Sequence, residues 1–326
     1  MNFWYFVIYS LLLLIGVFAL PDIYFDPYQK SLIFLVGTVG IWRYGWFILN
    51  IIRAYLYKNY KFKKIRELEQ KNDDKLDPEH VFLLLTTFRI GTSVTVKVYR
   101  AAIEEAISSG YNVTIIASIV EISEEYLIRK IFLSYKPPKN VKLVISRIKG
   151  TGKRDGLSVG FRVVSNSIGI NLSKSVVAVI DGDSILEKGL IKKCSRLFAL
   201  DDLLGALTTD EDAILAGNDN THNIYRQWYK LRFAQRNIAM MSMSLSNRVL
   251  TLTGRMSMVR ASIVASEAFI QTVQNDHIDH PRLGVFRFLT GDDKSSWFDI
   301  VKEGWKMLYV PDVTVYTVEE IPDKIF

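Results

Sequence analysis

The chain has 326 residues, of which 49% are hydrophobic, and its mean hydropathy of +0.14 is too apolar for a disordered protein and high for a purely soluble one. One cysteine excludes a disulfide scaffold and a cysteine-rich zinc or iron–sulfur site. The net charge of +7 raises the question of a nucleic-acid or an anionic membrane partner, which the position of the charge decides.

Two apolar runs open the chain. Residues 3–20 carry no charge, and residues 31–52 carry only Arg43. Since about 20 helical residues cross a bilayer core, both runs are long enough for membrane spans, joined by a short polar link. The first run lacks the basic start and the small-residue cleavage site of a signal peptide, so we predict a membrane anchor.

A basic segment follows the second run, with seven Lys or Arg and two Glu between Arg53 and Lys71. The rest of the chain then holds 34 basic and 32 acidic residues, and this near-neutral balance argues against a nucleic-acid partner. Basic residues beside a span favour the cytoplasmic side, so we expect both termini in the cytoplasm. The predicted organisation is a transmembrane hairpin over 1–57, a basic cytoplasmic linker over 58–80 and one domain over 81–326.

Short apolar runs alternate with helical patterns from residue 81 onward. The predicted strands cover 81–87, 113–120, 141–146, 176–180 and 203–209. The predicted helices cover 92–109, a segment from Ser123 to Pro137, and 186–198. This alternation is typical of an α/β fold in which helices flank a mostly parallel sheet. Ligands of such sheets bind beyond the carboxyl ends of the strands.

The fourth predicted strand ends in Asp181-Gly182-Asp183. Two carboxylates one residue apart can bind a hard divalent cation and position a diphosphate, and the glycine lets a ligand approach the backbone. Acidic turns after strands are common, but the apolar strand before this one makes it a candidate site.

A second acidic pair, Asp292 and Asp293, stands before a helical pattern. A carboxylate there can act as a general base toward an acceptor hydroxyl, or it can simply cap the helix. The segment 150–156 places Lys153 and Arg154 among glycines, which suits phosphate contacts but also suits a solvated loop. It is not a P-loop, because the spacing differs.

Other candidates are weaker. The segment 276–280 contains two Asp-His pairs that resemble a metal cluster but are more typical of a polar loop. Cys194 is expected to be a small buried residue rather than a nucleophile. Trp297 can stack on a sugar ring or pack in the core. Residues 224–243 are expected to form an amphipathic helix on the sheet or on a membrane surface.

An apolar strand that ends in Asp-x-Asp is also the first strand in phosphatases of the haloacid-dehalogenase type. Those proteins carry the motif near the start of their domain, whereas here strands and helices from residue 81 precede it. They also place a second Asp four or five positions after a late Gly-Asp, and those positions after Asp292 are Ser296 and Trp297. A phosphatase of this type is therefore only a minor alternative.

The chain resembles the catalytic subunits of bacterial alginate (mannuronan) synthases, which are processive, membrane-bound family-2 glycosyltransferases. The similarity runs from the apolar runs to the last residues. It is densest in seven segments: 86–90, 118–123, 150–157, 176–183, 230–236, 248–258 and 286–298. The resemblance implies a GT-A-like, Rossmann-related fold and an inverting, metal-dependent glycosyltransferase.

The resemblance also implies a role for each matching residue. On the donor side, the nucleotide would be cradled by Thr86, Thr87 and Arg89, its base or ribose contacted by Glu121, and its diphosphate contacted by Lys153 and Arg154. Asp181 and Asp183 would bind Mg²⁺ or Mn²⁺. On the acceptor side, Asp293 would be the base, with Asp292 beside it and with Gly254 and Arg255 lining the acceptor pocket.

The partners implied are GDP-mannuronate, the growing polysaccharide, the bacterial inner membrane as a multi-pass anchor, and co-polymerase or cyclic-di-GMP receptor subunits. Processive relatives carry a later Gln-x-x-Arg-Trp segment and further spans, and neither occurs before Phe326. A truncated product, a fragment and an unusual short member of the family therefore all stay open. Two alternatives stay open: a non-processive membrane glycosyltransferase of another glycan or lipid, and a catalytically inactive assembly subunit.

Overall fold

The computed structural model describes residues 7, 11–12, 14–15, 18, 30–72, 75–88, 90–150, 152–215, 220–282, 284–287 and 291–319. Most of the first predicted span, residues 3–20, and the predicted nucleotide ligand Arg89 therefore lie outside the described residues. The second predicted span falls within helix α1, Lys30–Leu56. Within the described part of the chain, no helix combines the length and the hydropathy that a bilayer crossing needs.

Helix α1 continues through a π-helical turn, Tyr57–Phe62, into α2, Lys63–Lys71. The wider turn directs both Tyr57 and Phe62 into the core, where they are buried. Two of the basic residues that follow α1 then pack on the domain. Lys61 donates to the carbonyl of Ser244 at 2.8 Å, and Arg66 forms a bidentate pair with Asp312 at 2.8 and 2.9 Å. The predicted linker is therefore a helical strut that lies against the domain.

Eight strands form the main sheet, in the order β3-β2-β1-β4-β7-β6-β10-β5. Their bounds are β1 Val81–Thr86, β2 Val113–Ile119, β3 Val141–Arg147, β4 Val176–Asp181, β5 Ser184–Leu186, β6 Leu204–Leu215, β7 Met256–Arg260 and β10 Lys306–Glu319. The first four are parallel, as predicted from their apolar runs. The other half of the sheet is mixed: β6 and β10 are parallel, whereas β7 runs antiparallel to both β4 and β6, and β5 runs antiparallel to β10.

Helices cover both faces of the sheet. One face carries α3, Thr92–Ser109, and α4, Ile122–Ser134. The other carries α5, α9, α10 and α11, with bounds Lys153–Ser165, Ala261–Val264, Glu267–Asn275 and Asp292–Lys302. Helix α8, Asn220–Ser244, packs on α1, β6 and β10. A separate hairpin joins β8, His277–His280, to β9, Gly284–Arg287.

Two sequence predictions differ from the structure. The predicted helix 186–198 is divided into the end of β5 and two short helices, α6 Leu190–Ser195 and α7 Leu197–Leu200. The glycine-rich segment around Lys153 was compatible with a loop, but Lys153 begins α5. The glycines explain this difference, because a Cβ at Gly156 would lie 2.8 Å from Ser118 Oγ and one at Gly160 would lie 2.4 Å from Leu84 Cδ1. Small residues there let α5 pack closely on β1 and β2.

Candidate active site

A cavity of about 330 Å³ lies where β1, β2 and β4 end. These strands are parallel neighbours, so their carboxyl ends share one edge of the sheet. The lining combines strand ends, the start of α5 and the turn after β4, and consists of Thr86, Thr87, Phe88, Ile90, Ser118, Val120, Ile148, Gly150, Gly152, Lys153, Gly156, Asp181, Gly182 and Asp183. Four predicted donor-side residues, Thr86, Thr87, Lys153 and Asp181, are among them, together with Asp183.

The start of α5 brings a positive charge to this cavity. Gly152 precedes the helix with φ near 139°, a left-handed value that favours glycine, and Lys153 is the first helical residue. Lys153 Nζ lies 2.6 Å from Asp181 Oδ1 and 3.2 Å from Asp292 Oδ2. The ammonium group therefore joins the end of β4 to the first residue of α11, and the free N–H groups of α5 lie at the same edge.

The charges at this edge strongly affect one another. Burial raises the pKa of Asp181 to about 6, Lys153 counteracts that rise, and the nearby carboxylates Asp183 and Asp292 add to it. For Lys153, burial favours the neutral form, but Asp181 and Asp292 outweigh burial and its pKa is raised. Three carboxylates thus share one ammonium counter-charge, which favours an additional cation at this position.

A glycine keeps space open beside Asp181. A Cβ at Gly254 would lie 3.0 Å from Asp181 Oδ2 and 3.5 Å from Lys153 Nζ. The backbone N–H of Asp181 donates to the carbonyl of Arg255 at 3.2 Å, so the loop before β7 is fixed against the end of β4. The backbone therefore forms a cradle over the carboxylate that an alanine side chain would fill.

The second acidic pair opens α11, and Gly291 is its N-cap. Asp292 and Asp293 both line a small recess of about 20 Å³ together with Gly254 and Ser296. Asp292 also faces Lys153 in an ion pair at 3.2 Å. Asp293 folds back over Gly291, because a Cβ there would lie close to Asp293 Oδ1. The two neighbouring carboxylates thus share the recess but differ in their immediate contacts.

The residues present fit a divalent cation whose remaining ligands come from a substrate. Among the described side chains, no three of His, Cys, Asp or Glu lie close enough to hold a metal ion by themselves. Asp181 and Asp183 nevertheless both line the cavity, and the carboxylate of Asp181 lies beside the Gly254 cradle. Mg²⁺ is typically bound through one or two carboxylates plus substrate phosphates, which is the donor set that this edge can offer.

Arg154 lies outside the 330 Å³ cavity. Its guanidinium donates to the carbonyl of Val273 at 2.7 Å and to Ser295 Oγ at 3.0 Å, and it lies 3.6 Å from Asp276 Oδ2. These contacts turn the side chain toward α10 and α11. The expected diphosphate contact of Arg154 therefore does not match its position, whereas that of Lys153 does.

Three other predicted residues also lie away from that cavity. Arg255 pairs with Glu211 at 3.3 Å and stacks on Phe233. Glu121 is the exposed N-cap of α4, and its N–H donates to Glu124 at 3.3 Å. Trp297 donates to the carbonyl of Val249 at 3.0 Å and lines a different cavity of about 510 Å³.

A buried ion-pair cluster beside the site was not predicted. Glu211 is only 4% exposed and accepts from Arg236 of α8 and from Arg255. Because the Arg255 carbonyl holds the N–H of Asp181, this cluster supports the cradle from behind. A signal was present in the sequence, since an acidic side chain in an apolar strand needs a cationic partner. The partner's position, however, depends on the tertiary fold.

The weaker sequence candidates have ordinary surroundings. The predicted polar loop 276–280 is instead largely strand β8, because His277–His280 pairs with β9. His277 lies 3.7 Å from the exposed Asp279 on this strand. Cys194 is buried, as predicted, and burial raises the pKa of its thiol. Neither residue adds chemistry to the candidate site.

Comparison with known proteins identifies relatives along nearly the whole chain. The family model described as "Glycosyltransferase like family 2" matches residues 78–324. Glycosyltransferase alg8 of Pseudomonas syringae pv. tomato is 46% identical over 320 residues, which cover 98% of this chain and 64% of that protein. Glycosyltransferase alg8 of Azotobacter vinelandii is 46% identical over 317 residues, covering 97% and 63%. The chain thus spans just under two thirds of the length of these relatives.

Two solved structures are more distant. The mannosyltransferase PcManGT from Pyrobaculum calidifontis, in complex with GDP-Man and Mn²⁺, has a TM-score of 0.44 at 14% identity and aligns with 85% of this chain and 70% of its own. Residues 1–349 of TarS from S. aureus give a TM-score of 0.45 at 9% identity, covering 74% and 60%. Likenesses this loose carry no argument about function.

Proposed function

The chain belongs to the glycosyltransferase-like family 2, and on that premise we propose that it transfers a sugar from a nucleotide-activated donor to a hydroxyl acceptor with inversion at the anomeric carbon. The family match and the two relatives confirm the resemblance and the GT-A-like fold predicted from the sequence. The observation that carries the proposal is the meeting of Lys153, Asp181 and Asp292 at one end of the cavity.

The donor's leaving group would lie at this end of the cavity. When the bond to the sugar breaks, the nucleoside diphosphate gains negative charge. Lys153 and the N-terminus of α5 offer a cation and free N–H donors, so the charge develops against groups that are already in place. Thr86 and Thr87 supply the polar strand end beside the nucleotide. Gly182 lets the turn after β4 pack against that strand end, because a Cβ there would lie 2.6 Å from the carbonyl oxygen of Thr86.

A divalent cation fits the same position. Asp181 and Asp183 would hold Mg²⁺ or Mn²⁺, and the cation when bound would supply Lewis-acid stabilisation of the leaving diphosphate. The Gly254 cradle keeps the Oδ2 atom of Asp181 accessible, while Lys153 occupies its Oδ1 atom. The role of the protein residues is to keep both oxygens in defined positions before the donor arrives.

The acceptor hydroxyl needs a base, because a sugar hydroxyl is a poor nucleophile. Both carboxylates line the recess beside Gly254, but Asp292 is held in an ion pair by Lys153, so we assign the removal of the proton to Asp293. Asp292 then has a different role, since its ion pair keeps Lys153 beside Asp181. Asp292 would thus act on the donor side through Lys153, and Asp293 would act on the acceptor hydroxyl.

The donor and product follow from the relatives. We propose GDP-mannuronate as the donor and mannuronan as the product, because the chain is 46% identical to two glycosyltransferases named alg8. Membrane attachment in the inner membrane, with the catalytic domain in the cytoplasm, is part of the same proposal. In α1, Ile41, Trp42 and Trp46 are 78%, 74% and 61% exposed, and an apolar surface of this kind favours lipid contact. Co-polymerase and cyclic-di-GMP receptor subunits remain partners implied by the resemblance alone.

The base assignment is tested by Asp293→Asn in the purified chain. We expect polymer formation to be lost while calorimetry still detects GDP binding in the presence of Mn²⁺, since the amide cannot accept the hydroxyl proton but leaves the donor cavity unchanged. Asp299→Asn is the matched control, because Asp299 lies on the same helix but does not line the cavity or the recess. Turnover near the wild-type rate in Asp293→Asn would remove the base assignment.

A further inference from the structure

Three side chains form a largely buried cluster behind the candidate site, and they join α5, α10 and α11. We call Arg154, Asp276 and Ser295 the Arg154 cluster. Arg154 Nη2 donates to Ser295 Oγ at 3.0 Å, and Ser295 Oγ donates to Asp276 Oδ2 at 2.5 Å. Arg154 Nη1 also donates to the carbonyl of Val273 at 2.7 Å. The cluster thus ties three helices together through one guanidinium and one hydroxyl.

The cluster is connected to the candidate site at two points. Arg154 directly follows Lys153 in the first turn of α5. Ser295 comes one turn after Asp292 in α11. Lys153 and Asp292 face each other at 3.2 Å, so the two sides of the candidate site are adjacent to the two ends of the cluster. A shift of either helix would change that distance.

The hydrogen bonds of the Arg154 cluster require the side-chain types that form it. The Ser295 hydroxyl acts as acceptor for Arg154 and as donor for Asp276, so alanine would lose both roles while threonine could keep them. Ser295 is 5% exposed and the Arg154 side chain is 13% exposed. Asp276 is 25% exposed and lines the 510 Å³ cavity with Ser295, so the bond between Arg154 and Ser295 is the more shielded part of the cluster and the part that best holds its geometry. A lysine at position 154 could not reach the same acceptors with a planar fork.

We propose that the Arg154 cluster is a positioning device that fixes Asp292 and Asp293 opposite Lys153 and Asp181. It sets the acceptor-side helix at the correct distance from the donor-side helix, and it touches neither substrate. The inference rests on the proposed glycosyl transfer for its kinetic consequence. Its structural consequence, that the start of α11 is held in place through Ser295, does not depend on the reaction.

The positioning role and the expected diphosphate contact of Arg154 have different kinetic signatures. If Arg154 bound the diphosphate directly, its replacement would lower the affinity for the donor. A positioning residue leaves donor affinity unchanged and lowers kcat, because a misplacement of about 1 Å in the reacting groups can cost about a hundredfold in rate. The two roles therefore separate in a comparison of KM and kcat.

The experiment uses Ser295→Ala, Ser295→Thr, Arg154→Lys and the control Gln274→Ala in the full chain. Gln274 bonds to Asp155 at 3.0 Å and to Arg162 at 2.8 Å, so it joins α5 to α10 without reaching α11. For each variant, kcat and KM for GDP-mannuronate and the amide hydrogen exchange of residues 291–298 are measured, together with the exchange of β1 and β2 as a reference for global stability.

We expect Ser295→Ala and Arg154→Lys to lower kcat at least tenfold with KM changed less than twofold, and to speed exchange in 291–298 but not in β1 and β2. Ser295→Thr should restore both properties, and Gln274→Ala should resemble the wild type. If the wild type turns over donor and Ser295→Ala keeps its kcat and its exchange pattern, the positioning role is wrong while the proposed function stands. If the wild type transfers no sugar, the proposed function fails, and exchange alone decides the positioning role: faster exchange limited to 291–298 supports it, and unchanged or globally faster exchange overturns it.

Discussion

Replacement of Gly254 by alanine separates binding at the site from the stability of the fold. The new Cβ would lie 3.0 Å from Asp181 Oδ2, 3.5 Å from Lys153 Nζ and 3.8 Å from Asp181 Cγ. A carbon–oxygen contact at 3.0 Å is shorter than ordinary van der Waals contact, so Asp181 must move by a few tenths of an ångström. The methyl group also fills the cradle beside the oxygen atom that we assign to the cation.

The expected loss in binding is larger than the expected change in stability. A displaced and covered carboxylate should weaken Mn²⁺-dependent GDP binding at least tenfold, which corresponds to about 1.4 kcal/mol. Gly254 lies outside the left-handed region, so alanine is compatible with its backbone. Alanine also reduces the conformational entropy of the unfolded chain, which stabilises the folded state by about 0.4 to 1 kcal/mol. That gain offsets part of the steric cost, and the free energy of unfolding should change by less than about 1 kcal/mol.

The assay is calorimetric titration with GDP and Mn²⁺, combined with thermal unfolding of the same samples. Gly45→Ala is the control, because a Cβ at Gly45 in α1 meets nothing within 4 Å. We expect Gly254→Ala to lose affinity with a melting temperature close to that of the wild type, and Gly45→Ala to keep its affinity with an equal or higher melting temperature. Wild-type affinity in Gly254→Ala would refute the cradle and the cation assignment to Asp181 Oδ2.

Three further changes test the packing around the site. Glu211→Gln should lower the free energy of unfolding by about 3 kcal/mol in a denaturant titration, because it leaves the guanidinium of Arg236 without its buried counter-charge. A loss below about 1 kcal/mol would contradict a stabilising role for that pair. Gly160→Ala should cost about 1 to 3 kcal/mol in the same titration, since its Cβ would lie 2.4 Å from Leu84 Cδ1, and a neutral result would mean that α5 shifts freely. Burial lowers the pKa of His80 to about 4, so the unfolded chain binds the proton first as pH falls below about 6.5. The full shift would cost the wild type about 2 kcal/mol between pH 7 and pH 5, and screening by solvent reduces the expected loss to about 1 kcal/mol. His80→Gln should remove most of that dependence, and an equal slope in both proteins would reject it.

The first half of the sheet was predictable because its strands carry local signals. Apolar runs of β-branched and aliphatic residues mark β1, β2, β3 and β4, and a parallel strand buried on both faces needs such a run. Strands β7 and β10 were missed for physical reasons. β7 is five residues long and mixes Ser257 and Arg260 with methionines, and β10 contains Pro311 and Asp312. Their pairing depends on neighbours that are distant in the chain.

The candidate site was predictable to a similar degree. Asp181 and Asp183 follow an apolar strand, and Lys153 stands among glycines, so both had local signals. Arg154 had the same local signal as Lys153, but its partners Val273 and Ser295 come more than a hundred residues later. A pattern of adjacent residues cannot show that neighbouring cations point in different directions, because the start of a helix sends successive side chains to different faces.

The most direct test of the proposed function is transfer of label from GDP-[¹⁴C]mannuronate into glycan by membranes that contain the full chain. We expect label in a polymer when Mg²⁺ or Mn²⁺ is present, loss of that label in Asp293→Asn, and inverted configuration at the new bond. Label in a product with one added sugar would support the non-processive alternative. GDP binding without any labelled glycan would contradict the account and favour an inactive assembly subunit.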